Sequence, residues 1–472
     1  MKLERIVKRD EDFAQWYQSI VTNAKLAMYT NVKGAMIFLP NAWAIWESIR
    51  TTMDQVFKQY NVRNLAMPTL IPMSEFEKEK DHIEGFAPEL YTITCIGNKV
   101  LDANYVVRPT SEILFCQYFA NAVNSYKDLP IKVNQWCSVM RAEKTTKPFL
   151  RNSEFHWQEL HAVFADQPTC EQFASDIIDE YATFAKEFLC IPVYKGQKTP
   201  WERFAGAEIT HTIEAMMQDG QALQAGTSHY LGTLFAKTYN IKYQNNDNQQ
   251  LYAHQMSAGV STRLIGALIM VHADDQGLIL PPPIAPVQIA IAVINHKEQQ
   301  DKIDEQVALL KTQLNKYRVE IDDSNKGIGF KLAEQEIIGT PIVIIVGFKD
   351  LQNQQVTVYR RDDKTKHLVN LTDLITYVNS LYEEIKVNIY NKALARQQAN
   401  TVHVNSVEEL KKAIENKQMA TCYFVGTEED DKAIKALTNA STRCILELSD
   451  EMHECFYTKK KTNKLTLFAR AY

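Results

Sequence analysis

The sequence has no long apolar run, no strong excess of positive charge, and no repeated or low-complexity segment. Its most apolar stretches, LIGALIMV at 264–271 and PIVIIVGF at 341–348, fall well short of the roughly 18 residues that predict a membrane span. We therefore expect no contact with a membrane. The formal net charge of −5 argues against a chain built mainly to coat nucleic acid, which would normally be strongly basic.

A secretory signal is also missing from the first residues, because MKLERIVKRDEDF is too charged to be one. The eight cysteines are even in number, as a disulfide framework would require. Without a secretory signal, however, reduced thiols are the better interpretation, since disulfides persist mainly in oxidising compartments. We expect a cytoplasmic protein.

The composition that is present is typical of a folded protein with several domains. A length of 472 residues, at roughly 100–200 residues per domain, predicts two to four domains. Hydrophobic residues make up 45% and charged residues 23%, as in ordinary soluble proteins. The negative balance lies within residues 1–280, so the remainder is neutral and leaves room for a local basic patch.

The segment LILPPPIAP at 278–286 marks the clearest domain boundary, because three consecutive prolines continue neither a helix nor a central strand. Before it, we predict a helix over 41–60 capped by Asn41, a hairpin turning at Gly97 and Asn98, and a helix capped by Thr110. These elements lack an alternating strand–helix rhythm. The pattern favours an antiparallel α+β domain.

After the prolines, buried strands alternate with predicted helices at 298–317, 329–337 and 371–386, which indicates a smaller α/β domain. The polar stretch KALARQQAN then leads to a last unit. We place the three domains at 1–281, 282–388 and 389–472.

Four polar clusters stand among apolar residues: RPTSE (108–112), RAEKTTKPFLRNSEFHWQELH (141–161), QAGTSH (224–229) and GVSTRLIGALIMVH (259–272). An arginine beside a buried helix is costly unless it meets an anion. Each residue alone also has a structural explanation: Arg141, Arg151 and Arg263 as partners of carboxylates, Glu112 as a helix-start residue, His229 as a hydrogen-bonded core histidine. Their joint occurrence favours a site.

The order of the clusters resembles the class II aminoacyl-tRNA synthetases. NAWAIWESI and the strand that follows it resemble motif 1, NQWCSVMRAEKTTKPFLRNSEFHWQELH resembles motif 2, and GVSTRLIGALIMVH resembles motif 3. With the stretch FAGAEITHTIEAMMQDGQALQAGTSHYLG, the chain is similar over nearly its whole length to prolyl-tRNA synthetases of the archaeal/eukaryotic-like type. The interval between Arg141 and Arg263 leaves no room for an editing insertion.

The resemblance implies a fold and an activity. The fold is a class II antiparallel-sheet catalytic domain, followed by an α/β anticodon-binding domain and a small α+β C-terminal domain. The activity is that of a proline–tRNA ligase in protein synthesis, which activates L-proline with ATP to prolyl-adenylate and transfers the prolyl group to the 3′ end of tRNA(Pro). The resemblance also implies a homodimer formed through motif 1, and Mg²⁺ bridging the ATP phosphates.

The site residues follow from the same resemblance, residue by residue. Two arginines are assigned to catalysis: Arg141 and Arg263. Seven residues are assigned to proline: Thr110, Glu112, Arg141, Phe155, Trp157, Glu159 and His229. Eight residues are assigned to ATP: Arg141, Glu143, Arg151, Asn152, Gln224, Thr227, Ser261 and Arg263. Phe155 and Trp157 alternate with His156 at strand spacing, so both should point to one face.

Departures from the family pattern bear on the other domains. The last unit resembles a C-terminal domain that in many relatives binds zinc through four cysteines. Here Val425 stands at one expected cysteine, Asp430 stands near another, and CFYT stands at 455–458 in place of a CxxC pair. One candidate ligand remains, so we predict no structural zinc. Four basic residues of the second domain fit either phosphate contacts or an ordinary solvated hairpin. They are Arg360, Arg361, Lys364 and Lys366.

Two other functions remain open from the sequence. One is a synthetase-like RNA-binding or regulatory protein without aminoacylation, which would not need the ATP residues. The other is a related class II synthetase for another amino acid such as threonine, which would hold its substrate through a metal.

Overall fold

A computed structural model describes residues 6–77 and 90–472 of the chain, and its largest element is an eleven-stranded sheet. The strands, numbered in chain order, are β1 (Ala27–Tyr29), β2 (Met36–Phe38), β3 (Arg63–Asn64), β4 (Leu70–Pro72), β5 (Thr92–Ile96), β6 (Lys99–Val107), β7 (Ile131–Met140), β8 (Glu154–Phe164), β9 (Val193–Gln197), β10 (Ile209–Met216), β11 (Ala222–Gly232), β12 (Lys242–Gln244), β13 (Gln250–Tyr252), β14 (His254–Ser261), β15 (Ile289–Ile294), β16 (Val319–Asp322), β17 (Ile342–Gly347), β18 (Gln355–Arg360), β19 (Lys366–Asn370), β20 (Thr401–His403), β21 (Met419–Tyr423), β22 (Ser441–Glu454) and β23 (Lys461–Ala469). The α-helices span Phe13–Asn23, Pro40–Gln59, Met73–Glu77, Glu112–Ala122, Gln167–Glu187, Leu234–Thr238, Arg263–His272, Gln300–Gln313, Ile328–Ile338, Phe348–Gln352, Leu374–Ala399, Val407–Glu415 and Glu428–Thr438. In this part of the chain no helix is long and apolar enough to cross a bilayer.

The large sheet has the order β20-β21-β23-β22-β9-β10-β11-β14-β8-β7-β3. Its central neighbours, from β9 to β7, all pair antiparallel. One face is apolar and is covered by the helices Pro40–Gln59, Gln167–Glu187 and Arg263–His272, which share the main hydrophobic core with it. The antiparallel α+β fold expected for the first domain is confirmed. The helices Glu112–Ala122 and Leu234–Thr238 cover part of the opposite face, and the remainder leaves room for a site.

The helix predicted at 41–60 spans Pro40–Gln59, and its apolar residues are buried at the expected spacing. The cap is different from the prediction. Leu39 is the N-cap and Pro40 takes the first helical position, where its fixed φ favours helix initiation. Asn41 lies inside the helix, and its Nδ2 donates to the carbonyl of Ala24 at 3.0 Å.

The hairpin predicted around Gly97 and Asn98 is confirmed, since β5 and β6 pair antiparallel on either side of these residues. The prediction that Thr110 caps the following helix is wrong. Ser111 is the N-cap residue of the helix Glu112–Ala122. The Thr110 hydroxyl instead donates to the Glu112 carboxylate, which removes it from capping and ties it to the site.

The second region has a five-stranded sheet of order β16-β15-β17-β18-β19, in which β15, β16 and β17 are parallel. This confirms the α/β prediction for the segment. The helix predicted at 371–386 continues as Leu374–Ala399, because buried Ile389 and Ala393 extend its apolar stripe through the polar stretch KALARQQAN. It therefore runs across residue 388 into the C-terminal part.

The hairpin β18–β19 does not present Arg361 to solvent, which corrects both interpretations of that residue. Arg361 is 1% exposed, and its guanidinium donates to both carboxylate oxygens of Asp274, at 2.6 and 3.0 Å. Lys364 lies 3.0 Å from the same carboxylate, and Arg360 pairs with Asp362 at 2.9 Å. Three of the four basic residues are thus engaged by carboxylates, and Lys366 is exposed.

The C-terminal part adds strands β20–β23 to one end of the large sheet. β22 meets β9 at the pair Ile445 and Gln197. The approach is close enough to require glycine at position 196, because a Cβ there would lie 2.3 Å from the carbonyl oxygen of Ile445. The C-terminal strands therefore continue the large sheet.

The turn around Cys455, in the segment where we predict no structural zinc, is held by hydrogen bonds. The Cys455 thiol accepts from the backbone N–H groups of Val425 and Thr458, both at 3.4 Å, and the Thr458 hydroxyl donates to the carbonyl of Val425 at 2.9 Å. Within residues 6–77 and 90–472, no group of three or more His, Cys, Asp or Glu side chains is placed to hold a metal.

Candidate active site

A cavity of about 270 Å³ opens on the face of the sheet opposite the main hydrophobic core. β8, β10, β11 and β14 form its floor, and alternation along each strand decides which side chains enter it. Most of the residues predicted for the site line this one cavity: Thr110, Glu112, Arg141, Phe155, Trp157, Glu159, Gln224, Thr227, His229, Ser261 and Arg263.

The strand register aligns the floor residues in rows. Thr210, His229, Ser257 and His161 are direct cross-strand neighbours on β10, β11, β14 and β8. In the adjacent row, Gly259 lies between Thr227 and Glu159. Because Gly259 has no side chain, nothing projects from the sheet between Thr227 and Glu159, and this space remains part of the cavity.

The acidic end of the cavity is built around Glu112, at the start of its helix. Glu112 is 5% exposed and receives the hydroxyl hydrogen bond of Thr110. Glu159 lies nearby, but its oxygens are engaged by protein groups: Ser111 Oγ at 2.8 Å, Gln135 Nε2 at 3.1 Å and His161 Nε2 at 3.3 Å. Glu159 is therefore already held by its protein neighbours.

Arg141 directly follows the last residue of β7, and its side chain packs against two aromatic rings of the cavity. Its guanidinium lies 5.3 Å from the ring centre of Phe155 and 5.4 Å from that of Trp157, and the two rings meet edge to face at 5.8 Å. Its Nε donates to the carbonyl of Pro109 at 2.9 Å. Both rings point to one face, as their alternation with His156 predicts.

His229 is a neutral member of the floor. Its Nδ1 lies 3.0 Å from the Thr210 hydroxyl, and its ring packs on Phe204 with centres 4.7 Å apart. Burial lowers the pKa of His229 to about 3, because the charged imidazolium would lose its hydration. At physiological pH the imidazole is therefore uncharged, and it contributes a flat ring with a neutral polar edge to the cavity.

Arg263 stands at the opposite end of the cavity, at the first turn of its helix. Its Nε donates to the carbonyl of Leu150 at 3.2 Å, and its Nη1 lies 3.4 Å from the carbonyl of Gln224. Burial, together with the positive charges of Arg141 and Arg151, lowers the pKa of Arg263 to about 10. The guanidinium is still charged at neutral pH, so the repulsion among these arginines would be relieved by a bound anion.

Three residues assigned to ATP do not line the cavity: Glu143, Arg151 and Asn152. Arg151 is exposed at the rim and faces Glu143 across 3.9 Å. Asn152 is 3% exposed, and neither polar atom of its amide has a hydrogen-bond partner. An unpartnered buried amide is costly, so this position is suited to a polar group supplied from outside the chain.

Eleven residues of the lining were not among the predicted site residues, and six of these have large or polar side chains: His161, Glu202, Arg203, Phe204, Thr210 and Ser257. Alternation would have supplied His161, two residues after Glu159, and Ser257, two before Gly259. The segment WERF at 201–204 reaches the cavity from a short loop, and no periodicity indicates it.

Family models match three consecutive parts of the chain. One described as "tRNA synthetase class II core domain (G, H, P, S and T)" matches residues 91–272. One described as "Anticodon binding domain" matches residues 288–381, and one described as "Prolyl-tRNA synthetase, C-terminal" matches residues 407–472.

Similar proteins cover the whole chain. A proline–tRNA ligase of Ureaplasma parvum serovar 3 is 64% identical over 100% of this chain and 99% of its own length. One of Mycoplasma capricolum subsp. capricolum is 47% identical, with the same coverage. Among solved structures, the prolyl-tRNA synthetase of Cryptosporidium parvum, complexed with halofuginone and AMPPNP, superposes with a TM-score of 0.95 at 34% identity, covering 99% of each chain.

Proposed function

Since the chain belongs to the prolyl-tRNA synthetase family of class II aminoacyl-tRNA ligases, we propose that the cavity described above is where it performs the family's reaction. The reaction joins L-proline to ATP as prolyl-adenylate and then passes the prolyl group to tRNA(Pro). One observation carries the assignment of the site. A buried carboxylate, Glu112, and two partly buried cations, Arg141 and Arg263, share a single cavity on the sheet.

Proline occupies the acidic and aromatic end. Its secondary ammonium pairs with Glu112, and Thr110 holds that carboxylate in place through its hydroxyl. The apolar ring fits between Phe155, Trp157 and the neutral ring of His229. A charged histidine would repel the ammonium, and the low pKa of His229 prevents this.

ATP occupies the basic end. Arg141 lies between the two subsites, so it contacts both the carboxylate of proline and the α-phosphate. Arg263 holds the γ-phosphate, and Gln224, Thr227 and Ser261 add polar contacts along the floor. Arg151, Glu143 and Asn152 complete the nucleotide site from the rim.

Catalysis then consists of holding two anions together. The proline carboxylate attacks the α-phosphorus, a mixed anhydride forms and pyrophosphate leaves. Arg141 lowers the repulsion between the two reactants and stabilises charge on the phosphoryl oxygens, while the cavity fixes their orientation. Mg²⁺ supplies further neutralisation of the phosphates. Since the described residues hold no cage of three ligands, it would be bound by ATP itself, with Glu143 as the protein carboxylate beside the arginines.

The partners and location follow from the same family. The tRNA is engaged by the region that matches an anticodon-binding domain. A homodimer is supported by exposed apolar side chains beside motif 1 and on the neighbouring hairpin: Met28, Tyr29, Val32, Ile37, Ile96 and Val100. All eight cysteines are free, which fits a reducing cytoplasm.

The experiment is ATP–pyrophosphate exchange measured with each amino acid in turn, followed by aminoacylation of tRNA(Pro). We expect exchange with proline and none with threonine. Exchange with threonine but not proline would reject the amino-acid assignment, and no exchange with any amino acid would favour a regulatory RNA-binding protein. Sedimentation velocity of the same protein tests the dimer, and a monomer at micromolar concentration would refute it.

A further inference from the structure

Residues 198–204 form a short segment that joins two parts of the molecule, and we call it the wall segment. On one side, Glu202, Arg203 and Phe204 line the cavity. Phe204 packs on His229, and its backbone N–H donates to Thr210 Oγ1 at 3.2 Å. The wall segment thus closes the end of the cavity assigned to proline.

The other side of the wall segment faces the C-terminal strands. The indole Nε1 of Trp201 donates to Asp431 Oδ2 at 3.0 Å, and its ring meets Phe424 at 89° with centres 6.5 Å apart. Asp431 is 5% exposed and is itself fixed by the backbone N–H of Thr442 at 3.0 Å and the Thr442 hydroxyl at 3.2 Å. Trp201 is therefore bound to a rigid, buried carboxylate.

A second contact holds the start of the wall segment. Lys198 donates to Glu214 Oε1 at 2.7 Å, and Arg443, from β22, donates to Glu214 Oε2 at 3.1 Å. Glu214 and Lys198 are 0% and 2% exposed. Burial by itself would lower the pKa of Arg443, yet the carboxylates of Glu214 and Glu202 raise it overall. Buried charges of this kind are stable only with all partners present, so β22 and the wall segment are fixed relative to each other.

We propose that the C-terminal part is a positioning element for amino-acid recognition: Asp431 and Arg443 hold the wall segment, through Trp201 and Glu214, in the place where it encloses proline. These are positioning residues, because neither lines the cavity. The inference rests on the proposed function, since it takes proline as the occupant of that end. The C-terminal part thereby acquires a role in substrate binding.

The test compares KM values in ATP–pyrophosphate exchange for Trp201→Phe and Asp431→Asn. Trp201→Phe keeps an aromatic ring against Phe424 and removes the N–H donor, so the fold should be retained. We expect the KM for proline to rise by about fivefold in each, within the range for loss of a hydrogen bond to a carboxylate. The KM for ATP and kcat should change by less than about twofold.

A matched control is Asp430→Asn, on the same helix. Its carboxylate accepts from Thr427 N at 2.8 Å within a capping box and makes no contact with the wall segment. We expect this variant to lose some thermal stability and to keep the wild-type KM for proline. Hydrogen exchange adds a readout independent of activity: amides of 198–204 should exchange faster in Trp201→Phe, and those of β11 should not.

The outcomes separate the two claims. If the wild type exchanges proline but neither variant shifts its KM, the positioning role is overturned and the proposed function stands. Equal rises in Asp430→Asn, or equal rises in the KM for ATP, would mean general destabilisation and would also overturn it. A wild type with no proline-dependent exchange rejects the proposed function, and the inference falls with it.

Discussion

The ion pair between Arg361 and Asp274 links the second region to the end of the helix Arg263–His272, and its removal has a calculable effect. Burial by itself would raise the pKa of Asp274, but the hydrogen bonds and charge of Arg361 lower it from its ordinary 3.8 to about 2. At pH 7 the ionised carboxylate therefore contributes about 2 kcal/mol to the free energy of unfolding. We expect Asp274→Asn to cost about that amount.

The sign of the pH dependence follows from the same pKa. Because the folded value lies below the unfolded value of 3.8, the contribution is complete above about pH 5 and is lost as the pH falls toward 2. The difference in unfolding free energy between wild type and Asp274→Asn should therefore shrink to about half near pH 3.

The assay is urea unfolding, followed by circular dichroism and tryptophan fluorescence, at pH 7 and near pH 3. The control is Asp275→Asn, since Asp275 is exposed and accepts the backbone N–H of Arg9, at 2.8 Å, which an amide oxygen can also do. It should change stability by less than about 0.5 kcal/mol. An Asp274→Asn protein as stable as the wild type at pH 7, or a deficit that does not depend on pH, would refute the reasoning.

Two further predictions concern the cavity and the C-terminal part. Arg263→Ala should reduce ATP–pyrophosphate exchange by at least about 100-fold, because it removes the partly buried cation that we propose holds the γ-phosphate, and leave the circular dichroism spectrum unchanged. A near-normal rate would show that its role is misassigned. Thermal melting in the presence of a strong chelator should leave Tm unchanged, since the turn at Cys455 is held by Val425 and Thr458. A large chelator-induced drop would reveal a structural metal.

Local patterns in the sequence were sufficient for the parts of the fold that depend on neighbouring residues. The hairpin at Gly97 and Asn98 follows from turn chemistry, and the shared face of Phe155 and Trp157 follows from strand alternation. The three class II motifs, in their order along the chain, were sufficient to identify the family. Both predicted helix caps were wrong because a neighbouring residue took over. Pro40 occupies the first position of the helix predicted at 41–60, and the Glu112 carboxylate accepts the hydrogen bond of the Thr110 hydroxyl.

Contacts between residues far apart in sequence could not be predicted in the same way. Arg361 and Asp274 are 87 residues apart, and Trp201 and Asp431 are 230 apart. A basic hairpin therefore looked available for RNA, although its central arginine is buried against a carboxylate. The wall segment was missed because a loop has no periodicity and its place is set by a different part of the chain.

The pairing of β22 with β9 also bears on solubility. An uncovered edge strand exposes backbone N–H and C=O groups and can recruit a strand from another molecule. Here β22 lies along the edge of β9, and glycine at position 196 permits the approach. A chain shortened to its catalytic residues would expose that edge, and self-association through it would compete with correct assembly.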